Sequence, residues 1–284
     1  MPRANALRIS GGVIKLIATD LDGTLLRDDK TVSDRTHAAL AAAQECGIAI
    51  ALVSARPPRT VATIATAAGV GGFAVCCNGA IVYDLDQREI IDNVPFAAEI
   101  ALSLVTSLRA ALPGVSFAME QGLDLQCEAE FAGLHPEREI EAPTIMDALV
   151  RFTGADALPV TKLIVRHPAY SAVELLALVR DHAGERAGVT HSGAPFVEVA
   201  AAGIHKAAGL ARLCAALGIA AADVLAFGDM PNDIPMLAWA GHGVAVANAD
   251  PDLLELADEV TAANMNDGVA MVVERVVALR RHHL

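Results

Sequence analysis

Apolar and polar positions alternate along this chain in a grammar that is the same at both ends. Residues 13–19 (V-I-K-L-I-A-T) form a short apolar run rich in β-branched side chains that breaks at once into the polar cluster of residues 20–24. Such a run, bounded by turn formers, predicts a buried strand ending in a loop. Ser33 then opens an alanine-rich segment of helical period that stops at Gly47, and the apolar run 48–53 predicts the next strand. A helix over 58–68, closed by Gly69, and a strand over 73–77 continue the series, so the first 80 residues read as successive βαβ units with parallel strands. The C-terminal part predicts helices over 206–217, 234–240, 251–257 and 268–279, alternating with strands over 224–227, 243–247 and 259–261. Between these ends the pattern changes. Residues 96–112 are helical, 115–120 and 123–128 predict a hairpin around Gln121-Gly122, and helices near 144–152 and 171–183 are interspersed with strands at 160–167, 189–191 and 196–199. The expected fold is α/β: a Rossmann-like open parallel sheet built from residues 1–85 and 197–284, interrupted by an inserted α+β domain at 86–196.

Composition narrows what such a protein can do. With 284 residues, 54% hydrophobic and 19% charged, the chain has ample apolar surface for one large or two ordinary cores. A net charge of −13 and only 4% aromatic residues supply neither a basic stripe nor a stacking platform, which argues against nucleic acid as a partner. The five cysteines lack the C-x-x-C spacing of a zinc or thioredoxin-like site, which fits a reduced, cytoplasmic setting. No apolar run approaches the roughly 18 residues of a membrane helix, and residues 1–12 lack an apolar stretch of signal-peptide length, so no membrane partner is expected.

The chemistry-bearing residues cluster at strand ends. Asp20 and Asp22 straddle Leu21 directly after the first strand, followed by Gly23, which lets the backbone approach a ligand, and by the hydroxyl of Thr24. Ser54 follows the second strand. Asp229 and Asp233, with Asn232 between them, follow the strand at 224–227. In an open parallel sheet, ligands bind beyond the carboxyl ends of strands, where all these groups fall. Each stretch has a plainer reading as well: D-L-D-G-T as a turn, and D-M-P-N-D as a helix cap. Together, however, four carboxylates converging on one place repel one another unless a cation lies among them, and hard oxygen ligands suit Mg²⁺, a partner of phosphate oxygens. Lys206 opens a helix, where a cation is unfavourable unless an anion compensates it, so Lys206 and Ser54 are candidates to hold a phosphate.

Taken in order and spacing, D-L-D-G-T at 20–24, Ser54 in V-S-A-R, Lys206, and G-D-M-P-N-D at 228–233 resemble the four motifs of the haloacid dehalogenase (HAD) superfamily. The inserted domain, N-G-A at 78–80, V-A-N-A and N-M-N-D-G-V-A are similar to its Cof-type phosphatases with a C2-type (C2B) cap. The resemblance implies a phosphatase acting on a small phosphorylated metabolite. Asp20 would be the nucleophile that becomes an aspartyl-phosphate, and Asp22 the general acid and then base. Ser54 and Lys206 would bind the phosphoryl oxygens. Asp20, the backbone carbonyl of Asp22 and Asp229 would ligate Mg²⁺, supported by Asn232 and Asp233. The cap would decide the substrate.

Departures from the family pattern are Ala55, where glycine is common, and His205 and Ala207 flanking the lysine. Asn78 and Gly79 read locally as a tight turn, and the resemblance places them near the substrate; Ala55 and Lys162 are further candidates for substrate contact, as are Ser192 and Glu198. Arg56 reads as a structural or rim cation, and the scattered histidines make no ligand spacing. A phosphomutase or phosphotransferase, a non-catalytic phosphate-binding protein, and assembly into a homo-oligomer all stay open at this level.

Overall fold

A computed structural model describes residues 13–132, 140–141, 145, 159–192 and 194–281. The chain divides into two compact units, one made of the N-terminal part to Glu89 together with Lys206–Leu284, the other of Ile90–His205.

The first unit is organised by an eight-stranded sheet in the order β14-β13-β12-β1-β2-β3-β4-β5. β1 (Leu16–Thr19) lies in the interior, parallel to β2 (Ala49–Val53) on one side and to β12 (Val224–Gly228) on the other. β3 (Phe73–Cys76) extends the first side in parallel; β13 (His242–Val246) and β14 (Glu259–Thr261) extend the second. All four residues of β1 are buried, as a strand covered on both faces requires. The chain leaves β1 toward one side and returns to it from the far end of the sequence, so the carboxyl ends of β2, β1 and β12 frame a topological switch point. Two elements depart from the expectation: β4 (Ile81–Asp84), antiparallel to β3, and β5 (Glu89–Asn93), next to β4 in the sheet order, are left unassigned by the sequence reading. β3 also ends at Cys76, while Cys77 enters a 3₁₀ turn, so the two cysteines are not successive strand residues.

In the second unit a six-stranded sheet has the order β10-β11-β9-β6-β7-β8. Its strands are β6 (Ser116–Gln121), β7 (Asp124–Cys127), β8 (Ile140–Glu141), β9 (Lys162–Arg166), β10 (Ala187–Thr190) and β11 (Val197–Ala201). Phe117, Met119, Leu163, Val165, Val197 and Val199 share one core with Leu104, Leu108, Leu175 and Val179, so period-2 strand residues meet helical residues of Ala98–Ala111 and Ala172–Ala183. The latter helix starts with a capping box, Ser171 with Glu174. The expected domain boundary at 196/197 is corrected here. β11 pairs antiparallel with both β9 and β10, so residues 197–205 belong to the second unit. The helix expected near 144–152 falls largely outside the described residues.

Candidate active site

Three carboxylates and one ammonium meet at the switch point. Asp20 follows β1, its backbone N–H donating to Phe227 C=O of β12 at 3.0 Å. Asp229 follows β12, and Asp233 lies in the short turn after it. One carboxylate oxygen from each of Asp20, Asp229 and Asp233 lies within 4.8 Å of the other two, and all three residues are buried. Lys206, the first residue of the helix Lys206–Leu217, is 2% exposed and donates from Nζ to Asp20 Oδ1 and to Asp233 Oδ1, each at 2.6 Å. Asp233 Oδ2 accepts from the backbone N–H groups of Asp229 and Met230, while Oδ1 takes the lysine. Gly23 is needed where it stands. At a φ of 82° it favours glycine, and a Cβ there would overlap Asp229 Oδ2. Thr24 Oγ1 donates to Asp229 Oδ1 at 3.0 Å and holds that carboxylate in place.

This cluster is electrostatically incomplete. Burial raises the Asp20 carboxyl well above its ordinary range; Lys206 pulls it back, while Asp233 and Asp229 push it further up. Burial, and then Asp233, likewise push Asp229 up to about 6. Burial alone would lower Lys206, but the Asp20 and Asp233 carboxylates raise it, so the amine is charged. One fixed cation among three acids leaves an excess of negative charge, and hard oxygen donors of this kind fit a divalent cation such as Mg²⁺. A pH dependence follows for the metal-free protein. A carboxyl whose folded pKa lies above its unfolded value favours folding when protonated, so stability drains away as pH rises from about 4 through about 6. In denaturation with EDTA present, Asp229→Asn should flatten that decline between pH 4 and 7. An unchanged slope would show that Asp229 does not carry it.

Asp22 does not join the cluster, which corrects the expected convergence of four carboxylates. Its carboxylate is held by Arg56 in a fork, Nε to Oδ2 at 2.6 Å and Nη2 to Oδ1 at 2.8 Å, and by Lys30 Nζ at 3.0 Å. Partial burial pulls the Asp22 carboxyl upward, yet the hydrogen bonds and charge of Arg56, and then of Lys30, hold it below the ordinary range. The sequence reading takes Arg56 as a structural or rim cation and misses Lys30. The signal available for Arg56 was its position two residues after Ser54, on the loop leaving the neighbouring strand.

The other expected residues distribute as follows. Ser54, 2% exposed, follows β2 and its Oγ accepts from the Arg56 N–H at 3.2 Å. Ala55 lies between them on the same loop. Asn78 and Gly79 form the turn after β3, and Asn78 Oδ1 accepts from Asn232 Nδ2 at 3.2 Å, which ties the turn to the D-M-P-N-D segment. Lys162 belongs to the second unit, where it is buried and ion-paired with Glu198. Its charge is therefore balanced within that unit's own sheet. Ser192 lies between β10 and β11 in the second unit. His167 and His242 are taken up by Pro113 C=O and by Glu259 respectively.

Residues 17–273 match the family of haloacid dehalogenase-like hydrolases, nearly the whole chain and all four segments of the cluster. The chain belongs to that family. Two relatives extend over almost their full lengths. The pyridoxal phosphate phosphatase YbhA of Escherichia coli (strain K12) is 30% identical over 270 residues, covering 91% of this chain and 97% of its own. The 5-amino-6-(5-phospho-D-ribitylamino)uracil phosphatase YcsE of Bacillus subtilis (strain 168) is 29% identical over 270 residues, with 93% and 96% covered. A solved haloacid dehalogenase-like hydrolase from Bacteroides thetaiotaomicron superposes with a TM-score of 0.77 at 28% identity, covering 93% of this chain and 99% of that one. This haloacid dehalogenase-like hydrolase is thus a phosphatase of the superfamily, of the Cof type that its motifs resemble. No helix among its described residues is long and apolar enough to cross a membrane.

Proposed function

We propose that this enzyme is a Mg²⁺-dependent phosphatase of small phosphorylated metabolites that works through an aspartyl-phosphate on Asp20. The observation that carries the proposal is the pair of 2.6 Å contacts from Lys206 Nζ to Asp20 and Asp233, inside a buried group of three acids. An anionic phosphate cannot approach an anionic nucleophile unless positive charge neutralises both, and Lys206 is placed to do so. Asp20, Asp229 and the backbone carbonyl of Asp22 would hold Mg²⁺, supported by Asp233 and Asn232. The bound ion would supply Lewis-acid neutralisation of the phosphoryl oxygens.

A carboxylate oxygen of Asp20 attacks phosphorus and the ester oxygen departs, taking a proton from Asp22. Asp22 then accepts a proton from water as that water attacks the phosphorus of the aspartyl-phosphate, releasing inorganic phosphate and restoring Asp20. The Ser54 hydroxyl and Lys206 amine hold the phosphoryl oxygens through both steps. Asp22 rests as an anion on Arg56 and Lys30, as the second step requires; to donate a proton in the first it must loosen those ion pairs and take up a proton from solvent. The substrate class is supported by the relatives, whose names specify pyridoxal phosphate and a phosphorylated ribitylaminouracil, both phosphate esters of small molecules. We read the inserted unit Ile90–His205 as the C2-type cap.

A panel of phosphomonoesters assayed with Mg²⁺ and with EDTA tests this reading. Free phosphate should appear with Mg²⁺ and fall at least about tenfold with EDTA. A phosphate isomer or a transferred phosphoryl group would show a mutase or transferase instead, and no turnover of any ester would leave a phosphate-binding protein.

A further inference from the structure

The turn Cys77–Gly79 places three consecutive residues at positive φ: Cys77 at 52°, Asn78 at 55° and Gly79 at 102°. Glycine is at ease there and asparagine tolerates it, but cysteine does not favour it, so the surroundings must hold the turn in place. They do so from two sides. Cys77 N–H donates to Arg56 C=O at 3.0 Å, and Asn78 N–H to Ser54 C=O at 3.1 Å. From the other side, Arg212 Nη2 donates to Gly79 C=O at 2.6 Å, and Gly209 packs so closely that a Cβ on it would lie 2.6 Å from Gly79 Cα. Gly209 and Arg212 belong to the helix that begins with Lys206. The turn is therefore gripped between the Ser54 loop and the Lys206 helix.

From this turn the Asn78 side chain, 5% exposed, reaches the D-M-P-N-D segment. In this arrangement Asn232 presents its NH₂ group to Asn78 Oδ1, at 3.2 Å. That choice turns Asn232 Oδ1 the other way, where it is buried and has no hydrogen-bond partner. A buried acceptor without a donor is costly, and a free carboxamide would rotate to relieve it.

We infer that Asn78 is a positioning residue, which orients the Asn232 carboxamide so that Asn232 Oδ1 stands ready to accept from a donor that arrives with the ligand. The inference rests on the phosphatase reading of the site. Hydroxyl or ammonium groups of a substrate, or a water brought in with the cation, are donors of the required kind. Asn78 acts through Asn232.

Asn78→Gly isolates the effect, because glycine keeps the turn at φ 55° and only the side chain is lost. On a phosphomonoester hydrolysed by the wild type, Asn78→Gly should lower kcat/KM by about 10–100-fold, mainly through kcat, with no fall in melting temperature. If Asn78 works through Asn232, the double variant Asn78→Gly/Asn232→Ala should be no worse than Asn232→Ala alone. Wild-type kcat/KM in Asn78→Gly, or losses that multiply in the double variant, would overturn the inference. Crystal structures give a readout independent of turnover: Asn232 should leave its rotamer in Asn78→Gly, and an unmoved carboxamide overturns the positioning role. Asn78→Ser, whose hydroxyl is too short to reach Asn232, serves in the same two measurements should the glycine variant not fold. Absence of any hydrolysis by the wild type would instead bring down the phosphatase reading, leaving the structural comparison to decide on Asn78.

Discussion

Asp20→Asn should abolish phosphomonoester hydrolysis and yield a metal-free protein that melts at a higher temperature than the wild type. Both effects come from the same carboxylate. As a nucleophile, the carboxylate oxygen is replaced by a neutral carboxamide of the same shape, so no aspartyl-phosphate forms and turnover should drop by more than about 10³-fold. As a charge, Asp20 is buried beside Asp229 and Asp233, and burial together with those two like charges pushes its carboxyl well up. At neutral pH the folded protein bears that repulsion and the unfolded chain does not. Asparagine removes the charge while its oxygen still accepts from Lys206, so the fold gains where the chemistry is lost. Phosphate release with Mg²⁺, and thermal melts in EDTA, measure the two effects. Turnover within tenfold of wild type would refute the nucleophilic role, and a lower melting temperature would refute the repulsion.

Lys206→Met has the opposite signature, losing both activity and stability. The methionine fills similar apolar volume, so packing in the helix Lys206–Leu217 is kept, but Asp20 and Asp233 lose the only ammonium that either is paired with among the described residues. Removing one partner of a buried ion pair leaves uncompensated charge and costs about 3–5 kcal/mol, far more than an exposed pair would. The sign agrees with titration. The carboxylates raise the Lys206 amine above its ordinary value, so its contribution is fully present at neutral pH and is lost only as pH rises through that raised value. Mg²⁺ should restore part of the lost stability, because a cation binding the folded cluster stabilises it by mass action. Urea denaturation with EDTA and with Mg²⁺ is the measurement. An unchanged midpoint in EDTA would show that the carboxylates do not depend on this amine, and equal midpoints with and without Mg²⁺ would separate the cluster from the metal.

Most of the architecture could be read from residue order because it rests on local signals. The βαβ grammar at both ends comes from apolar runs of strand length punctuated by turn formers, and the helices Pro58–Ala68 and Lys206–Leu217 begin and end where their sequence predicts. Asp20, Ser54, Lys206 and Asp229 could be picked out because each follows a strand or opens a helix, and their order matches four motifs at once. The edge strands β4 and β5 and the boundary at β11 escaped that reading. Whether a short apolar segment pairs with one sheet or another is decided by partners distant in the chain, not by its own period.

Residue identity and spacing thus determined, by themselves, the α/β core, the inserted unit and the acidic, hydroxyl and amine groups at the strand ends. Only the tertiary structure decided how those groups divide. Three carboxylates gather at the switch point, two of them bonded to Lys206, whereas Asp22, two residues from Asp20, is drawn off by Arg56 and Lys30. Asn78 becomes a tie to Asn232, and Lys162 pairs with Glu198 inside its own sheet. The physical reason is that Coulomb interactions and hydrogen bonds depend on distance and burial, both set by which strands and loops become neighbours. Sequence order places each charge at the end of an element but leaves open which opposite charge will stand beside it.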